Sequence, residues 1–175
     1  SALYSQFDPI DPVGTSRAVR QRLRPILALA KQSGAFVNFD MEQYAFKDIT
    51  LQIFQEILSE PEFADWPDVG IAIQAYLRET ETDLVRLLDW VRTERKTPVG
   101  IRLVKGAYWD YETIHAVQQG WPIPVWTQKW QSDACYERCS RFLLDNYAWL
   151  VPAFGTHNFC SIAHALAAAE ALGVP

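Results

Sequence analysis

The sequence predicts an α/β fold with a parallel sheet, on the strength of three observations. Four short apolar runs have the composition of buried strands. Longer segments with helical spacing of apolar residues separate these runs, so that strands and helices alternate along the chain. Polar side chains follow the apolar runs near their C-terminal ends. Such an alternation forms a parallel sheet with right-handed connections, although it does not distinguish an open sheet from part of a barrel.

Composition and charge narrow the class of protein. The chain has 175 residues, 49% hydrophobic and 21% charged, as expected for one packed globular domain or part of a larger one. Its net charge is −5 without a basic run, which argues against contact with nucleic acid or an anionic membrane surface. No apolar stretch approaches the roughly 18 residues of a spanning helix, so we expect a cytoplasmic protein and leave peripheral membrane contact open. The three cysteines do not suggest a disulfide framework, and no His or Cys spacing resembles a metal site.

The first predicted helix covers residues 15–33 and ends at Gly34. Pro25 is expected to kink or divide it, because proline removes a hydrogen bond from a helix interior. The apolar residues of the helix share one face: Val19, Leu23, Ile26, Leu27 and Ala30.

A second helix is predicted over residues 48–59. Asp48 is its N-cap candidate, and Ile49, Ile53 and Ile57 align on one face. The other predicted elements complete the alternation: strands 36–40, 70–75, 100–104 and 150–154, and helices 81–96, 110–119, 132–147 and 158–172.

Polar side chains lie at the ends of all four predicted strands. Because side chains alternate along a strand, Asp40, Gln74 and Arg102 can point to the same face of the sheet, and the segment 156–158 follows the fourth strand directly. An acid, an amide and a cation in an apolar setting are unfavourable unless they pair with each other or with a ligand. We therefore interpret the strand ends as a functional site. The alternative is a core strand whose arginine reaches solvent at the rim.

The segment 101–110, IRLVKGAYWD, joins a strand with a central arginine to a Lys-Gly turn and an aromatic pair. The chain has no GxGxxG, GxxxxGK[ST] or GxSxG motif, so a Rossmann turn, a P-loop and a serine nucleophile elbow are all unsupported. Only one acid clearly points inward, and that leaves a glycosidase without its pair. The arginine, the lysine, the glutamine and the Gly-Ala turn instead suit a large, planar, anionic cofactor.

The same segment, followed by Pro124-Val125 and by TQKWQSD at 127–133, resembles the flavin-dependent proline dehydrogenases. The match looks closest to the dehydrogenase domain of the bifunctional bacterial proline utilisation A enzymes. Three further segments agree in the same order: VNFDMEQ at 37–43, IAIQAY at 71–76 and FGTHN at 154–158.

The resemblance implies a distorted (βα)8 barrel of the TIM type that holds FAD at the C-terminal ends of its strands. Residues 1–175 would form about half of that domain, with strands three to six, and both ends look truncated. The family's substrate lysine and the arginine pair that clamps the proline carboxylate would lie outside the chain. We therefore expect the isolated segment to be inactive.

The resemblance also implies roles for individual residues. Asp40 would lie near the substrate amine, Arg102 beside flavin N5 and Tyr108 against the proline ring, and these are the three predicted catalytic residues. Gln74 would hydrogen-bond the flavin ring. The other predicted cofactor contacts, in addition to Arg102, are Met41, Val104, Lys105, Gly106, Ala107, Trp109, Thr127, Lys129, Ser132, Thr156, His157 and Asn158.

The implied reaction is the oxidation of L-proline to Δ1-pyrroline-5-carboxylate, the first step of proline catabolism to glutamate, with hydride transfer from proline C5 to flavin N5. A quinone would accept the electrons. The rest of the barrel would be the partner of this segment, and an aldehyde dehydrogenase domain is a further candidate. The alternative function is a non-catalytic half-barrel that binds a ligand or a partner protein.

Overall fold

A computed structural model describes residues 2–174, in which a four-stranded sheet combines with six α-helices. A 3₁₀ turn (Tyr44–Phe46) precedes the second helix, and a π turn (Val91–Arg95) extends the third. In chain order the elements are α1 (Pro12–Ser33), β1 (Val37–Phe39), α2 (Lys47–Leu58), β2 (Val69–Gln74), α3 (Thr80–Trp90), β3 (Val99–Val104), α4 (Trp109–Gln119), α5 (Lys129–Asp145), β4 (Leu150–Gly155) and α6 (Phe159–Leu172).

The strands form one parallel sheet in the sequential order β1-β2-β3-β4, which confirms the predicted α/β class. Because connections between neighbouring parallel strands are right-handed, the helices fall on one face of the sheet. Burial along β3 agrees with this one-sided cover, since Ile101 and Leu103 are fully buried whereas Arg102 between them is exposed. We call the face that carries Arg102 the open face.

The main hydrophobic core lies between the covered face and the helices. Phe54 of α2 and Tyr136 of α5 are completely buried in the same core as Ile71 of β2. Phe39 of β1 meets Phe54 edge to face, with ring centroids 5.1 Å apart. Within residues 2–174, no helix has both the length and the apolar composition that crossing a bilayer requires.

Helix α1 ends at the predicted residue, but the expectations for Pro25 and Ile26 need correction. Gly34 ends the helix in a left-handed conformation, with φ at 64°. Pro25 does not divide the helix, which is continuous from Pro12 to Ser33, whereas the expected kink stays a prediction. Pro25 lies on the exposed side, where a carbonyl that loses its partner can bond to water. Ile26 is 46% exposed, so its predicted burial was wrong: the buried stripe steps from Leu23 to Leu27 and leaves Ile26 beside it.

Helix α2 begins at Lys47, and the predicted N-cap role of Asp48 was wrong. The 3₁₀ turn runs directly into the helix, so no extended residue is available as a cap, and Asp48 lies in the first turn. Its carboxylate lies 2.8 Å from Lys47 Nζ, which is also 2.8 Å from Asp83 and 3.0 Å from Glu79. Burial lowers the pKa of Lys47, but the hydrogen bonds to Asp48 and Asp83 outweigh it and the pKa lies above its ordinary value. This buried cation ties α2 to α3.

Helix α3 ends earlier than the predicted residue 96, because the π turn replaces its last turn. That turn buries the side chain of Arg95, which is 6% exposed. The guanidinium donates to the backbone carbonyls of Leu58 at 2.7 Å and Phe63 at 3.2 Å, and also to that of Trp66. Burial lowers the pKa of Arg95 to about 10, so the side chain stays charged at neutral pH. Its hydrogen bonds hold the segment after α2 in place.

Substitution Arg95→Leu is expected to lower the free energy of unfolding by about 3 kcal/mol, because it leaves several buried carbonyls without a donor. Arg92→Leu, in the same turn, removes an exposed arginine whose bond to Asn146 is 3.3 Å long, and it should change stability by about 0.5 kcal/mol or less. Urea denaturation of both variants tests this expectation, and equal losses would contradict it.

Candidate functional site

The strand register places the predicted polar residues in two neighbouring rows across the open face, with Arg102 and Asp40 in the first. Ala72 of β2 lies opposite Arg102 of β3, which lies opposite Ala153 of β4. Asp40 directly follows β1 and accepts a hydrogen bond from the Arg102 guanidinium, so the two form an ion pair. The Asn38 side-chain amide also donates to Asp40, at 3.3 Å. The residues level with Arg102 on both neighbouring strands are thus small, and Ala72 lines the cleft described below.

The next row toward the C-terminal edge contains Gln74, Val104 and Gly155. Gln74 is 3% exposed, and its side-chain nitrogen donates to the Glu42 carbonyl at 3.2 Å. Its Oε1 atom is buried and has no hydrogen-bond partner in the described part of the chain. A buried acceptor without a donor is unfavourable, and a ligand N–H group can satisfy it.

An aromatic ring covers the opposite, N-terminal end of the open face. The Phe36 side chain approaches Gly70 and Gly100 so closely that an added Cβ atom would lie 2.9 Å and 3.0 Å from the ring. Only glycine leaves room for the ring here. The accessible part of this face is therefore the C-terminal end, where parallel α/β sheets bind ligands.

A cleft of about 580 Å³ opens above these rows. Thirteen of the sixteen predicted site residues line it: Asp40, Met41, Gln74, Arg102, Val104, Lys105, Gly106, Ala107, Tyr108, Lys129, Thr156, His157 and Asn158. Trp109, Thr127 and Ser132 are not among the lining residues. Two further residues line the cleft, Ala72 and Gly155.

The turn after β3 is built on Tyr76. Gly106 has φ at 130°, and an added Cβ atom would lie 2.5 Å from the Tyr76 ring. The Tyr76 backbone N–H donates to the Lys105 carbonyl at 2.7 Å. Tyr76 is itself 3% exposed. The turn that lines the cleft therefore rests on a buried ring and requires glycine at its centre.

Two lysines of the cleft share one carboxylate. Lys105 and Lys129 both form ion pairs with Asp133, which lies near the start of α5. Burial raises the pKa of Asp133, but hydrogen bonds from Lys105 and Lys129 outweigh it and hold the pKa below its usual range. Lys105 Nζ also lies 5.6 Å from the centre of the Tyr136 ring. Two cations with one anion leave a net positive charge that suits a phosphate group.

The segment 120–128 is fastened to the end of β2. The Trp126 backbone N–H donates to the Tyr76 carbonyl at 2.8 Å, and the indole of Trp109 donates to the Trp126 carbonyl at 2.8 Å. The Trp109 side chain thus anchors this segment, which explains why it does not line the cleft. Thr127 is exposed, whereas Ser132 is buried on α5.

The residues at the start of α6 also line the cleft. Asn158 is the N-cap, and its side chain accepts from the Ser161 N–H at 3.2 Å. The Thr156 hydroxyl accepts from the Asn158 N–H at 3.1 Å, and His157 between them is exposed. A helix N-terminus favours an anion, so the start of α6 and the lysine pair both favour a negatively charged group.

Three residues that support the site had no predicted role. Tyr76 and Asp133 lie inside the matching motifs, and the spacing of Lys129 and Asp133, four residues apart on a helix, was a signal of their pairing. Glu112 on α4 is 4% exposed, and it accepts the Tyr44 backbone N–H at 2.6 Å. Burial raises its pKa. Only a three-dimensional structure brings Glu112 to Tyr44.

Substitution Gly106→Ala is expected to lower the free energy of unfolding by about 2 kcal/mol more than Gly120→Ala. Both glycines have positive φ, but only the first would push a methyl group into a ring, because no atom lies within 4 Å of an added Cβ at Gly120. Urea denaturation measures the difference. Equal losses would show that the Tyr76 ring does not restrict the turn.

Comparisons with known sequences agree on one family. The sequence model of the family described as proline dehydrogenase matches residues 3–175. The bifunctional protein PutA of Klebsiella aerogenes is 34% identical over 169 residues, which are 96% of this chain and 12% of that protein. Proline dehydrogenase 1 of Bacillus subtilis is 38% identical over 86 residues, 49% of this chain and 24% of that protein. The chain thus spans about 12% of the length of the PutA relative.

Solved structures agree with the sequence comparisons. Proline utilization A from Bdellovibrio bacteriovorus, inactivated by N-propargylglycine, aligns with a TM-score of 0.96 and 47% identity over 99% of this chain and 18% of that chain. Proline utilization A from Corynebacterium freiburgense aligns with a TM-score of 0.90 and 32% identity over 97% of this chain and 18% of that chain. A family model that matches nearly the whole sequence, together with a shared fold, establishes that the chain belongs to the proline dehydrogenase family.

Proposed function

We propose that the protein uses FAD to oxidise L-proline to Δ1-pyrroline-5-carboxylate, the first step of proline catabolism to glutamate. One observation carries the proposal: a cation, a carboxylate and an unsatisfied buried acceptor meet in a single cleft of a chain that belongs to this family. When bound, FAD would supply the acceptor atom, N5, for the hydride that leaves proline C5.

The donors and acceptors of the cleft fit such a cofactor. Gln74 Oε1 lacks a donor, and a flavin ring carries an N–H group that can supply one. Lys105 and Lys129, with the start of α6, would bind the pyrophosphate. The other predicted contacts stay part of the proposal: Met41, Val104, Gly106, Ala107, Trp109, Thr127, Ser132, Thr156, His157 and Asn158.

Asp40, Arg102 and Tyr108 would act on the reacting groups. Arg102 would place a positive charge beside the ring as electron density increases there, and Asp40 would balance that charge and orient the substrate amine. The half-buried Tyr108 would pack on the proline ring and exclude water. No nucleophile is needed, because the protein binds, orients and stabilises charge.

We further propose that residues 1–175 form strands three to six of a distorted (βα)8 barrel. Two observations support this: β1 and β4 each have one neighbour in the described sheet, and the PutA relative is about eight times longer than the aligned segment.

The rest of the barrel would supply the carboxylate clamp. A quinone would accept the electrons, and the protein would be cytoplasmic. An aldehyde dehydrogenase domain in the same polypeptide is a further candidate partner, and peripheral contact with the membrane stays open.

The full-length protein is expected to purify yellow and to lose its visible flavin absorbance when proline is added without oxygen. Anaerobic titration with L-proline, with D-proline as the control, measures this change. A colourless protein, or a bound flavin that proline does not reduce, would contradict the proposed function.

Substitution Arg102→Met is expected to lower kcat for proline by about 100-fold while the protein remains folded, because the cation lies on the accessible face and supports no core packing. The matched control is Arg138→Met, which removes an exposed arginine paired with Glu81 on the surface and should leave kcat unchanged. Steady-state kinetics with an artificial electron acceptor measures both variants. Unchanged turnover in Arg102→Met would refute the assigned role.

A further inference from the structure

Two separate segments line the cleft, and we call them its two walls. The first wall is the segment 40–43 after β1, which carries Asp40 and Met41. The second wall is the turn 105–108 after β3, which carries the lysine, the glycine and Tyr108. A site that aligns a substrate with a cofactor depends on the separation of such walls, since small displacements weaken catalysis strongly.

Glu112 connects the two walls directly. Its own backbone N–H donates to the Tyr108 carbonyl at 2.9 Å, so its position on α4 is coupled to the second wall. Its side chain, in a residue that is 4% exposed, accepts the backbone N–H of Tyr44 at 2.6 Å, directly after the first wall. A buried carboxylate is unfavourable unless it is hydrogen-bonded, and a bond to a charged acceptor is stronger than one between neutral groups.

The surroundings make this bond specific for the first wall. The Tyr44 side chain points elsewhere, because its hydroxyl donates to Glu79 at 3.0 Å. Gln74 holds the Glu42 carbonyl two residues earlier, at 3.2 Å, so the first wall is bonded at both of its sides. Tyr76, beneath the second wall, and Tyr44 pack in the same small apolar cluster. Because Glu112 is buried and Tyr44 is half-buried, loss of this bond would leave a partly desolvated N–H group without its acceptor.

We propose that Glu112 is a positioning residue that sets the width of the substrate cleft by holding the Asp40 wall to the Tyr108 wall. The proposal rests on the proposed function, because its effect on catalysis requires that proline binds between these walls. Glu112 does not touch the substrate. It acts through the Tyr44 backbone and through α4.

A proline substitution can delete the backbone donor without altering Glu112. Gln43, before Tyr44, has φ at −64° and ψ at 155°, the extended conformation that precedes proline, and Tyr44 is the first residue of a 3₁₀ turn. Tyr44→Pro therefore removes the N–H group with little strain. Tyr44→Ala is its matched control, since both variants lose the ring and the bond to Glu79 but alanine keeps the N–H. On the other side, Glu112→Leu removes the acceptor, and Glu112→Gln keeps it.

Kinetics and amide hydrogen exchange of these four variants of the full-length protein test the proposal. We expect kcat/KM for proline to fall about tenfold or more in Tyr44→Pro and Glu112→Leu, but to stay within about threefold of wild type in the two controls. In the cofactor-free protein, the backbone amides of 41–43 and 106–108 should exchange about tenfold faster in Tyr44→Pro and Glu112→Leu than in the two controls.

The outcomes separate this proposal from the proposed function. Faster exchange at both walls in Tyr44→Pro and Glu112→Leu, but not in the two controls, would support the positioning role of Glu112. This result would stand even if the wild-type protein did not oxidise proline, in which case only the proposed function would fail. If Tyr44→Pro matches Tyr44→Ala in exchange and kinetics, or Glu112→Gln is as impaired as Glu112→Leu, the positioning role is wrong. If Glu112→Leu does not fold, the Tyr44 pair still decides.

Discussion

The register of four neighbouring parallel strands is the constraint on which the site depends. Because β2 and β3 pair with Ala72 opposite Arg102, and β3 and β4 with Arg102 opposite Ala153, side chains at equivalent depths fall on one face. A shift of β3 by one residue would turn Arg102 toward the helices, where the buried core offers no partner for a cation. The Asp40–Arg102 ion pair exists only in this register, and the same register leaves small residues beside it.

Polar groups are used in two different ways in this protein. Away from the cleft, Lys47 and Arg95 are buried with several partners each, and these fully bonded cations join successive elements of the fold. In the cleft, by contrast, Gln74 keeps one acceptor without a donor and Arg102 remains accessible. A buried acceptor without a donor and an accessible cation in the same cleft are preorganised to bind a ligand that supplies the complementary groups.

Periodicity predicted the fold class and that Asp40, Gln74 and Arg102 lie on one face of the sheet, because alternation along a strand and the spacing of apolar residues on a helix are local properties. The end of α1 at Gly34 and the shared face of Arg102 and Val104 followed from such patterns. The mistakes arose where local patterns have more than one solution. Asp48 is a good cap by type, yet a 3₁₀ turn occupies the place a cap would need, and Ile26 fits a helical face whose centre lies one position away.

Contacts between distant segments were beyond such patterns. No spacing rule connects Glu112 to Tyr44, and the resemblance to a family points to residues around the ligands rather than to those that support them. The individual roles of residues in the cleft thus stay proposals, whereas family membership rests on the whole chain.

A crystal structure of the full-length protein with FAD and a non-oxidisable proline analogue tests the central claim most directly. The account predicts that the flavin ring lies over the open face, in hydrogen-bond contact with Gln74 and beside Arg102, with the analogue between Asp40 and Tyr108. A flavin bound elsewhere, with Gln74 still unsatisfied and the cleft empty, would contradict it.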